Sequence, residues 1–426
     1  MKKILVAFLF FLFIVPILQA QGETKDSTYI LLKNALIIDG ISTTAKKGDV
    51  LIRAQQIENI DYQKIIIPPK NTIIYDLTDK YIIPGLIDAH VHFGTDPSGS
   101  DNIVDTKKRL AYLLKNGITS VRDMAGDTRF LGYLARAAAL NEIPSPDIYY
   151  SALMAGPTFF DDPRTHASAK GAEPGNCAWM KGVDLQTDMK LAIAEAKGTG
   201  AAGIKVYADL DAAVIQNIVE EAHRQNIKVW SHAAIFPAKP QAIVNASVDV
   251  ISHSTLLAWE GVDYLPSSAK GRYVKQANFD INNSVFNKLI SSMQTKGTIL
   301  DATLATYQQE RFDSTIFLQG VALTNLAYKN GVKIGVGTDM SVHDFPKVTP
   351  LFQEMNILVN KVGMSPMQVI KAATLINAEM IGMDKKIGSI EIGKQADIVV
   401  LNKNPLVDIK HIGMVQYVFK RGERVK

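Results

Sequence analysis

The sequence predicts an α/β protein whose core is a closed (β/α)₈ TIM barrel, accompanied by a small composite β-sandwich built from both chain ends. Two observations predict this fold. In the middle of the chain, short apolar runs alternate with stretches of helical periodicity, which is typical of a parallel sheet. Near both ends, short β-patterned runs are separated by Gly, Pro and Asn, which is typical of antiparallel strands.

The beginning of the chain has the pattern of a secretory signal peptide. Lys2 and Lys3 precede an apolar run over residues 4–18, and the run ends near the small residue Ala20. Because the run is short for a membrane-spanning helix, an uncleaved anchor is only the alternative interpretation. We expect a bacterial protein that is periplasmic or secreted, is cleaved near Ala20, and has no stable membrane insertion after the signal is removed.

The amino-acid composition limits the classes of protein to which the chain can belong. The chain has 426 residues, of which 47% are hydrophobic and 21% charged, so it can form a large core. Two of the formal charges in the net +4 belong to Lys2 and Lys3, so the rest is near neutral and gives no reason to expect nucleic acid as a partner. The single cysteine, Cys177, excludes an intrachain disulfide. Association into a homo-oligomer is left open.

Changes of pattern divide the chain into four segments. We assign 1–20 to the signal peptide, 27–83 to the first part of the β-sandwich, 84–385 to the barrel and 386–426 to the second part of the sandwich. A module shared by the two ends is favoured because each half alone would leave sheet edges exposed.

Eight apolar runs in the middle segment are the predicted barrel strands. In chain order they read DAHVHF, ITSVRDM, DIYYSALM, GIKVYADL, KVWSHAA, DVISHST, TILDATLA and KIGVGTDM. The intervals between them carry helix-like sequence. Since a barrel of this kind places its active site at the C-terminal ends of the strands, functional side chains are expected there.

The pair His90 and His92 is the most informative motif. Residues i and i+2 of a strand share a face, so two imidazoles can converge on one cation. Alternation along the later strands turns further ligand-type side chains toward the same barrel mouth; these are Lys205, His232, His253 and Asp339. One strand histidine alone is more often a satisfied polar residue, and one Asp can be a helix cap. The convergence of all these side chains predicts a metal site.

The other histidines fall outside this set. They are His166, His223, His343 and His411.

Lys205 needs a separate explanation, since divalent cations would repel its ammonium. A neutral amine at pH 7 would cost roughly 4–5 kcal/mol, given a reference pKa of about 10.4. Reaction with CO₂ would instead give a carbamate, an anion with two oxygens that could bridge two cations. A lysine that pairs with a nearby carboxylate or binds substrate is the alternative.

Together these motifs resemble the amidohydrolase superfamily, in its imidazolonepropionase-like and lysine-carbamate prolidase-like branch. The resemblance covers nearly all of residues 30–420 and rests on motifs that read PGLIDAHVH, GIKVYA, VWSHA, VISHS and GVGTDM, and on the tail over 372–402. It implies two divalent metal ions, which in this family are usually zinc; iron, manganese and cobalt are alternatives.

The resemblance also implies how the ligands divide between the two ions. His90 and His92 would bind the more buried ion together with Asp339. His232 and His253 would bind the second ion. The carbamate of Lys205 would bridge both.

This resemblance predicts hydrolysis of a C–N amide bond in a small-molecule substrate, with dipeptides or N-acyl amino acids as the leading classes. Two divalent ions that share a water lower its pKa, and we expect Asp339 to take its proton and deliver it to the leaving group. The alternatives are a lactone, carbamate or phosphotriester substrate on the same two-metal site, a non-catalytic metal-binding barrel, and a structural interaction protein without metal.

Three further residues are candidates for substrate binding. Tyr207 shares the face of Lys205 and could reach a carbonyl or carboxylate, or it could simply pack in the barrel. Arg122 is phased inward and could hold a carboxylate, or form a structural ion pair with Asp123 or another acid. His166 lies in a long segment after the third strand, where loops often cover the active site.

That segment departs from the resemblance. Prolidase-like relatives usually carry TGGH after the third strand, whereas this chain reads AGPTFFDDPRTH. The departure puts dipeptidase specificity in doubt.

Overall fold

The computed structural model describes residues 28–63, 66–95, 100–263, 265–266, 271, 276, 278–341 and 348–426. The predicted signal peptide and His343 lie outside the described residues. Of the helices in the described ranges, none combines the length and the apolar character needed to cross a membrane.

The strands belong to two sheets and are numbered along the chain. They are β1 (Tyr29–Ile37), β2 (Lys46–Arg53), β3 (Gln56–Asp61), β4 (Ile73–Asp76), β5 (Tyr81–Pro84), β6 (Leu86–His92), β7 (Ile118–Asp123), β8 (Asp147–Ala155), β9 (Asn176–Cys177), β10 (Met180–Gly182), β11 (Gly203–Val206), β12 (Lys228–His232), β13 (Val250–Ser252), β14 (Ile299–Asp301), β15 (Ile334–Gly335), β16 (Met340–Ser341), β17 (Ile398–Leu401), β18 (Val415–Lys420) and β19 (Glu423–Arg424).

Helices separate the barrel strands and pack around them. They are α1 (Ile103–Lys115), α2 (Thr128–Ala139), α3 (Pro163–Ala169), α4 (Met189–Gly198), α5 (Ala212–Arg224), α6 (Pro240–Asn245), α7 (Ser284–Lys296), α8 (Ser314–Lys329), α9 (Pro350–Ile357), α10 (Pro366–Lys371) and α11 (Asn377–Ile381). Short 3₁₀ turns cover Pro157–Asp161, Ser254–Gly261, Ala305–Gln308 and Ile409–Gly413, and π-helical turns cover Leu358–Val362 and Ala372–Ile376.

The barrel sheet contains all the runs predicted from the sequence as barrel strands. Its order is β15-β14-β13-β12-β11-β8-β7-β6-β16. The last predicted run is split, because β15 pairs with β14 while β16 pairs with β6. Residues 334–341 therefore join the two edges of the sheet, and the TIM-barrel-like core is confirmed. β9 and β10 form a small hairpin attached to β8.

Local sequence explains both the strands and the helices of the barrel. β11 is buried along its whole length, as expected for a parallel strand covered on both faces. Several helices begin at a residue whose side chain caps the first turn. The Asn283 side chain accepts a hydrogen bond from the N–H of Val285 at the start of α7. The same helix ends at Gly297, whose φ of 72° suits glycine.

The second sheet joins strands from both ends of the chain, in the order β19-β18-β17-β5-β1-β2-β3, with β4 beside β1. β17 is antiparallel to both β5 and β18, so it connects the N-terminal and C-terminal strands. The apolar cluster of this sheet includes Leu32, Val50, Ile82 and Val400. Both ends therefore contribute to one sheet, while its arrangement as a sandwich and the domain boundaries stay predictions.

Candidate metal centre and active site

The closing segment of the barrel brings Asp339 against the His90–His92 pair. The ligand atoms of these side chains all lie within 4.8 Å of one another. Asp339 Oδ1 is 3.0 Å from His92 Nε2 and 3.5 Å from His90 Nε2. The Asp339 N–H also donates to the His90 carbonyl at 2.8 Å. Gly337 permits this approach, because a Cβ there would lie 2.5 Å from His90 Cβ.

The other two predicted histidine ligands continue the same cluster. The ring centroids of His232 and His253 are 4.6 Å apart, and those of His253 and His90 are 5.0 Å apart. His90 and His92 complete the series at 5.2 Å. The strand phasing thus places the four imidazoles in a series in which each ring contacts the next, at one end of the barrel.

Lys205 lies inside the barrel next to this cluster. Its side chain is fully buried on β11, where it is in register with Trp230 of β12. Burial is the main reason why the pKa of His90 falls to about 4, and the charge of Lys205 lowers it further. The same charge adds to the effect of burial on the pKa of His253.

The protonation states of the buried histidines and of Asp339 suit the binding of a cation. Burial holds the pKa of His253 well below its ordinary value and that of His90 at about 4, so both rings are neutral at pH 7 and offer lone pairs. Burial alone would raise the pKa of Asp339, but the hydrogen bond from His92 opposes this effect. The pKa of Asp339 is therefore lowered, and the group stays a carboxylate.

Sequence reasoning missed Asp301, at the end of β14. Its Oδ2 lies 2.7 Å from His90 Nδ1 and accepts hydrogen bonds from Arg122 Nη2 and Ser252 Oγ, both at 3.0 Å. Holding Nδ1 in this way orients His90 so that Nε2 faces the cluster. The signal was present, since Asp301 lies in the predicted strand run TILDATLA.

The contacts of Arg122 favour the structural ion pair over a substrate contact. Its side chain has no exposed surface, pairs with Asp301, and donates from Nε to the Ala89 carbonyl at 2.5 Å. The guanidinium also lies 4.6 Å from the ring centroid of Trp230. The acid is Asp301 and not Asp123, whose Oδ2 instead accepts the backbone N–H groups of Phe93 and Gly94.

A cleft of about 280 Å³ opens beside His92. Its wall includes Tyr207, whose ring centroid is 4.4 Å from that of His232 and 4.9 Å from that of Phe159. Tyr207 is thus placed between the candidate centre and the cleft. The helix α3 lines the cleft with Thr165 and Ser168, whereas the neighbouring His166 is exposed and is not part of the lining.

Comparisons with known proteins agree with the family that the motifs resemble. The model of the Amidohydrolase family matches residues 81–425. Ochratoxinase of Aspergillus niger is 26% identical over 396 residues, which cover 81% of this chain and 75% of that protein. Imidazolonepropionase of Brevibacillus brevis is 32% identical over 96 residues, 22% of each chain.

The fold is also shared with solved structures. A Xaa-Pro dipeptidase with methionine bound in its active site matches with a TM-score of 0.73 and 21% identity, over 94% of this chain and 100% of that chain. The Aspergillus niger ochratoxinase structure matches with a TM-score of 0.73 and 22% identity, over 94% and 96% of the two chains.

The family model spans most of the chain, from β5, just before the barrel strand that bears the histidine pair, to the C-terminal strands. The chain therefore belongs to the amidohydrolase family, is similar to imidazolonepropionases and to prolidase-like structures, and is a hydrolase that acts on carbon–nitrogen bonds.

Proposed function

We propose that this protein is an exported, metal-dependent amidohydrolase that cleaves the amide bond of a dipeptide or an N-acyl amino acid. The observation that carries this proposal is the approach of His90, His92 and Asp339, whose ligand atoms lie within 4.8 Å of one another. The rings of His232 and His253 extend the cluster. A family member with this donor set is suited to hydrolysis at a metal centre.

The residues fit a pair of divalent ions, and zinc suits their nitrogen and oxygen donors. His90 and His92 with Asp339 would hold one ion, and His232 with His253 would hold the other. Lys205 would bridge the two as a carbamate. Its full burial supports this assignment, because an anion there offsets cationic charge, whereas a buried ammonium would add to it.

When bound, the ions would lower the pKa of a shared water and polarise the scissile carbonyl. The chain's own residues would do the rest. Asp339 accepts the proton from the attacking water at a carboxylate oxygen and passes it to the leaving amine. Asp301 keeps His90 in the tautomer and orientation that a ligand needs. Tyr207 offers its hydroxyl to the substrate carbonyl or carboxylate.

A Xaa-Pro dipeptidase with bound methionine, which shares the fold, supports a peptide-like substrate. The first test is to purify the mature protein without chelators, supply zinc and bicarbonate, and measure metal content by elemental analysis. Stoichiometric metal and hydrolysis within a panel of dipeptides and N-acyl amino acids are expected. Hydrolysis confined to lactones, carbamates or phosphotriesters would contradict the substrate class.

Replacing Asp339 tests the proton transfer. The Asp339→Asn variant cannot accept the proton from water, so we expect turnover to fall by about 10²–10⁴-fold. Metal content should be measured in the same samples, since a loss of metal would give the same kinetic result. Unchanged turnover with metal retained would overturn the role of Asp339. Asp313→Asn, at the start of the outer helix α8, is the control.

Export has its own test. Expression of the full chain in a bacterial host, followed by fractionation and N-terminal sequencing, should give a periplasmic or secreted protein that begins near residue 21. Retention of the apolar segment in the membrane fraction would favour the uncleaved anchor.

A further inference from the structure

We propose that the cleft beside His92 selects an apolar substrate side chain, so that amides of residues such as leucine or phenylalanine are cleaved in preference to amides of charged residues. This inference rests on the proposed amide hydrolysis and names the substrate class for that same site.

The cleft wall is built from apolar side chains of several elements. Met124 follows β7, Leu153 lies in β8 and Met180 lies in β10, and all are buried from solvent. Phe159, in the 3₁₀ turn after β8, completes this wall. Methionine side chains are flexible and polarizable, so they adapt well to apolar groups of differing shape.

The charges at the rim of the cleft already pair with each other. Among the described lining residues, the fixed charges are Asp162 and Arg164, whose Oδ2 and Nη2 atoms are 2.7 Å apart. Asp162 also accepts the N–H of Arg164 at the start of α3. A charged substrate side chain in the cleft would lose its hydration without gaining an opposite charge, which is costly. An apolar side chain has no such cost.

The volume of the cleft limits what can enter. At about 280 Å³ it lies just below the roughly 300–1,000 Å³ typical of ligand pockets. This volume suits one side chain or a small acyl group and does not suit a polymer.

The wall is connected to the candidate metal centre through a series of rings in tilted and edge-to-face contact. Phe159 packs on Tyr207, and Tyr207 packs on His232, with centroid distances of 4.9 and 4.4 Å. The turn that carries Phe159 follows Gly156, where a Cβ would lie 1.8 Å from the Asp209 carbonyl oxygen. A side chain bound in the cleft would therefore lie directly beside the candidate ligands, with its amide close to His92.

The test compares N-acetyl-L-leucine and N-acetyl-L-phenylalanine with N-acetyl-L-aspartate, N-acetyl-L-lysine and N-acetylglycine, on metal-loaded protein. We expect kcat/KM for the apolar substrates to exceed that for the charged ones by at least about tenfold, as apolar pocket contacts commonly do. Equal rates on apolar and charged substrates would overturn the inference.

A pair of variants locates the preference in the cleft. Ser168→Phe would fill it from α3, so the ratio of kcat/KM for N-acetyl-L-phenylalanine to that for N-acetylglycine should fall at least about tenfold. Asn176→Phe adds the same ring at an exposed position of the nearby hairpin that does not line the cleft, and should leave the ratio unchanged. An unchanged ratio in Ser168→Phe would overturn the inference.

Binding separates this inference from the proposed function. Calorimetry with free leucine and free aspartate requires no turnover. We expect the metal-loaded protein to bind leucine more tightly, and Ser168→Phe to lose that preference. Equal affinity for both amino acids would overturn the inference, even if amides are cleaved. Failure to cleave any amide, with the preference for leucine intact, would contradict only the proposed function.

Discussion

At the scale of single residues, Asp301 is the side chain on which the arrangement of the site depends most. It is fully buried and contacts His90, Arg122 and Ser252 at once. Asp301→Asn should destabilise the protein by about 3–5 kcal/mol, because the equally buried Arg122 would lose its counter-charge. It should also weaken metal binding by about 10–100-fold, since a neutral amide is a weaker acceptor for His90 Nδ1 than the carboxylate.

Urea unfolding and zinc titration measure the two effects of Asp301→Asn separately. Asp105→Asn, which removes an exposed carboxylate that pairs with Lys108, is the matched control and should change stability by less than about 0.5 kcal/mol. A stability of Asp301→Asn equal to that of the control would show that Arg122 does not depend on this acid.

Among the secondary-structure elements, β14 carries no candidate metal ligand. Side chains at its end and just beyond it instead contact two of the candidate ligands. Asp301 contacts His90, and just beyond the strand Thr303 Oγ1 lies 2.8 Å from His253 Nδ1. The turn that follows is fixed by Glu354 of α9, whose carboxyl oxygens accept the N–H groups of Leu304 and Ala305 at 2.9 and 2.5 Å. An outer helix thus positions the segment that orients two inner rings.

Glu354 makes this element sensitive to pH. Burial, reinforced by the charges of Asp301 and Asp88, raises the pKa of Glu354 from 4.5 to about 8. The folded state therefore holds a proton that the unfolded state releases between these values, so this group's contribution to stability is lost as pH rises from 4.5 to 8. Glu354→Gln removes that dependence.

We therefore expect the unfolding free energy of Glu354→Gln to increase relative to that of the wild type between pH 5 and pH 8. Urea denaturation at both pH values measures the change. Glu220→Gln, on an exposed face of α5, should follow the wild type. A constant difference between wild type and Glu354→Gln across this range would contradict the predicted titration.

Individual strands and turns also show which parts of the fold and of the candidate site could be predicted from the sequence. The barrel strands and the convergence of the histidines follow from strand alternation, because a period of two fixes which side chains share a face. The alternation of side chains along a strand does not reveal the hydrogen-bond and ion-pair partners of those side chains. Asp301 contacts Arg122 only because strands that are distant in sequence come together in the barrel. The segment over 157–182 has no simple periodicity, so neither its turn nor its hairpin could be predicted.

At the scale of the whole molecule, a buried ion cluster joins the composite sheet to the barrel. Asp147 begins β8, and its Oδ1 is 2.7 Å from the Nζ of Lys420 at the end of β18. The Arg421 guanidinium pairs with the same carboxylate, and the backbone N–H of Arg421 donates to Asp397 Oδ1 at 2.8 Å. The last strands of the chain are therefore attached to a barrel strand by charge as well as by packing.

Asp147→Asn should weaken this attachment, because Lys420 and Arg421 would face each other without their shared acid. We expect a loss of about 3 kcal/mol in unfolding free energy. Hydrogen exchange should become faster in β17 and β18, and this can be followed by mass spectrometry. Glu58→Gln, which breaks an exposed pair with Arg53, is the control. Unaltered exchange in these strands would show that packing alone secures them.

The pairing of β5 with β17 has a consequence for the order of events during synthesis. Ile82 lies opposite Val400, so the two strands cannot meet until residue 400 has left the ribosome. Contacts between residues so far apart in sequence form late, since a very long loop must close first. A nascent chain therefore keeps β5 without its neighbour β17 until that C-terminal strand has been synthesised, so the composite sheet is completed after the barrel strands have emerged.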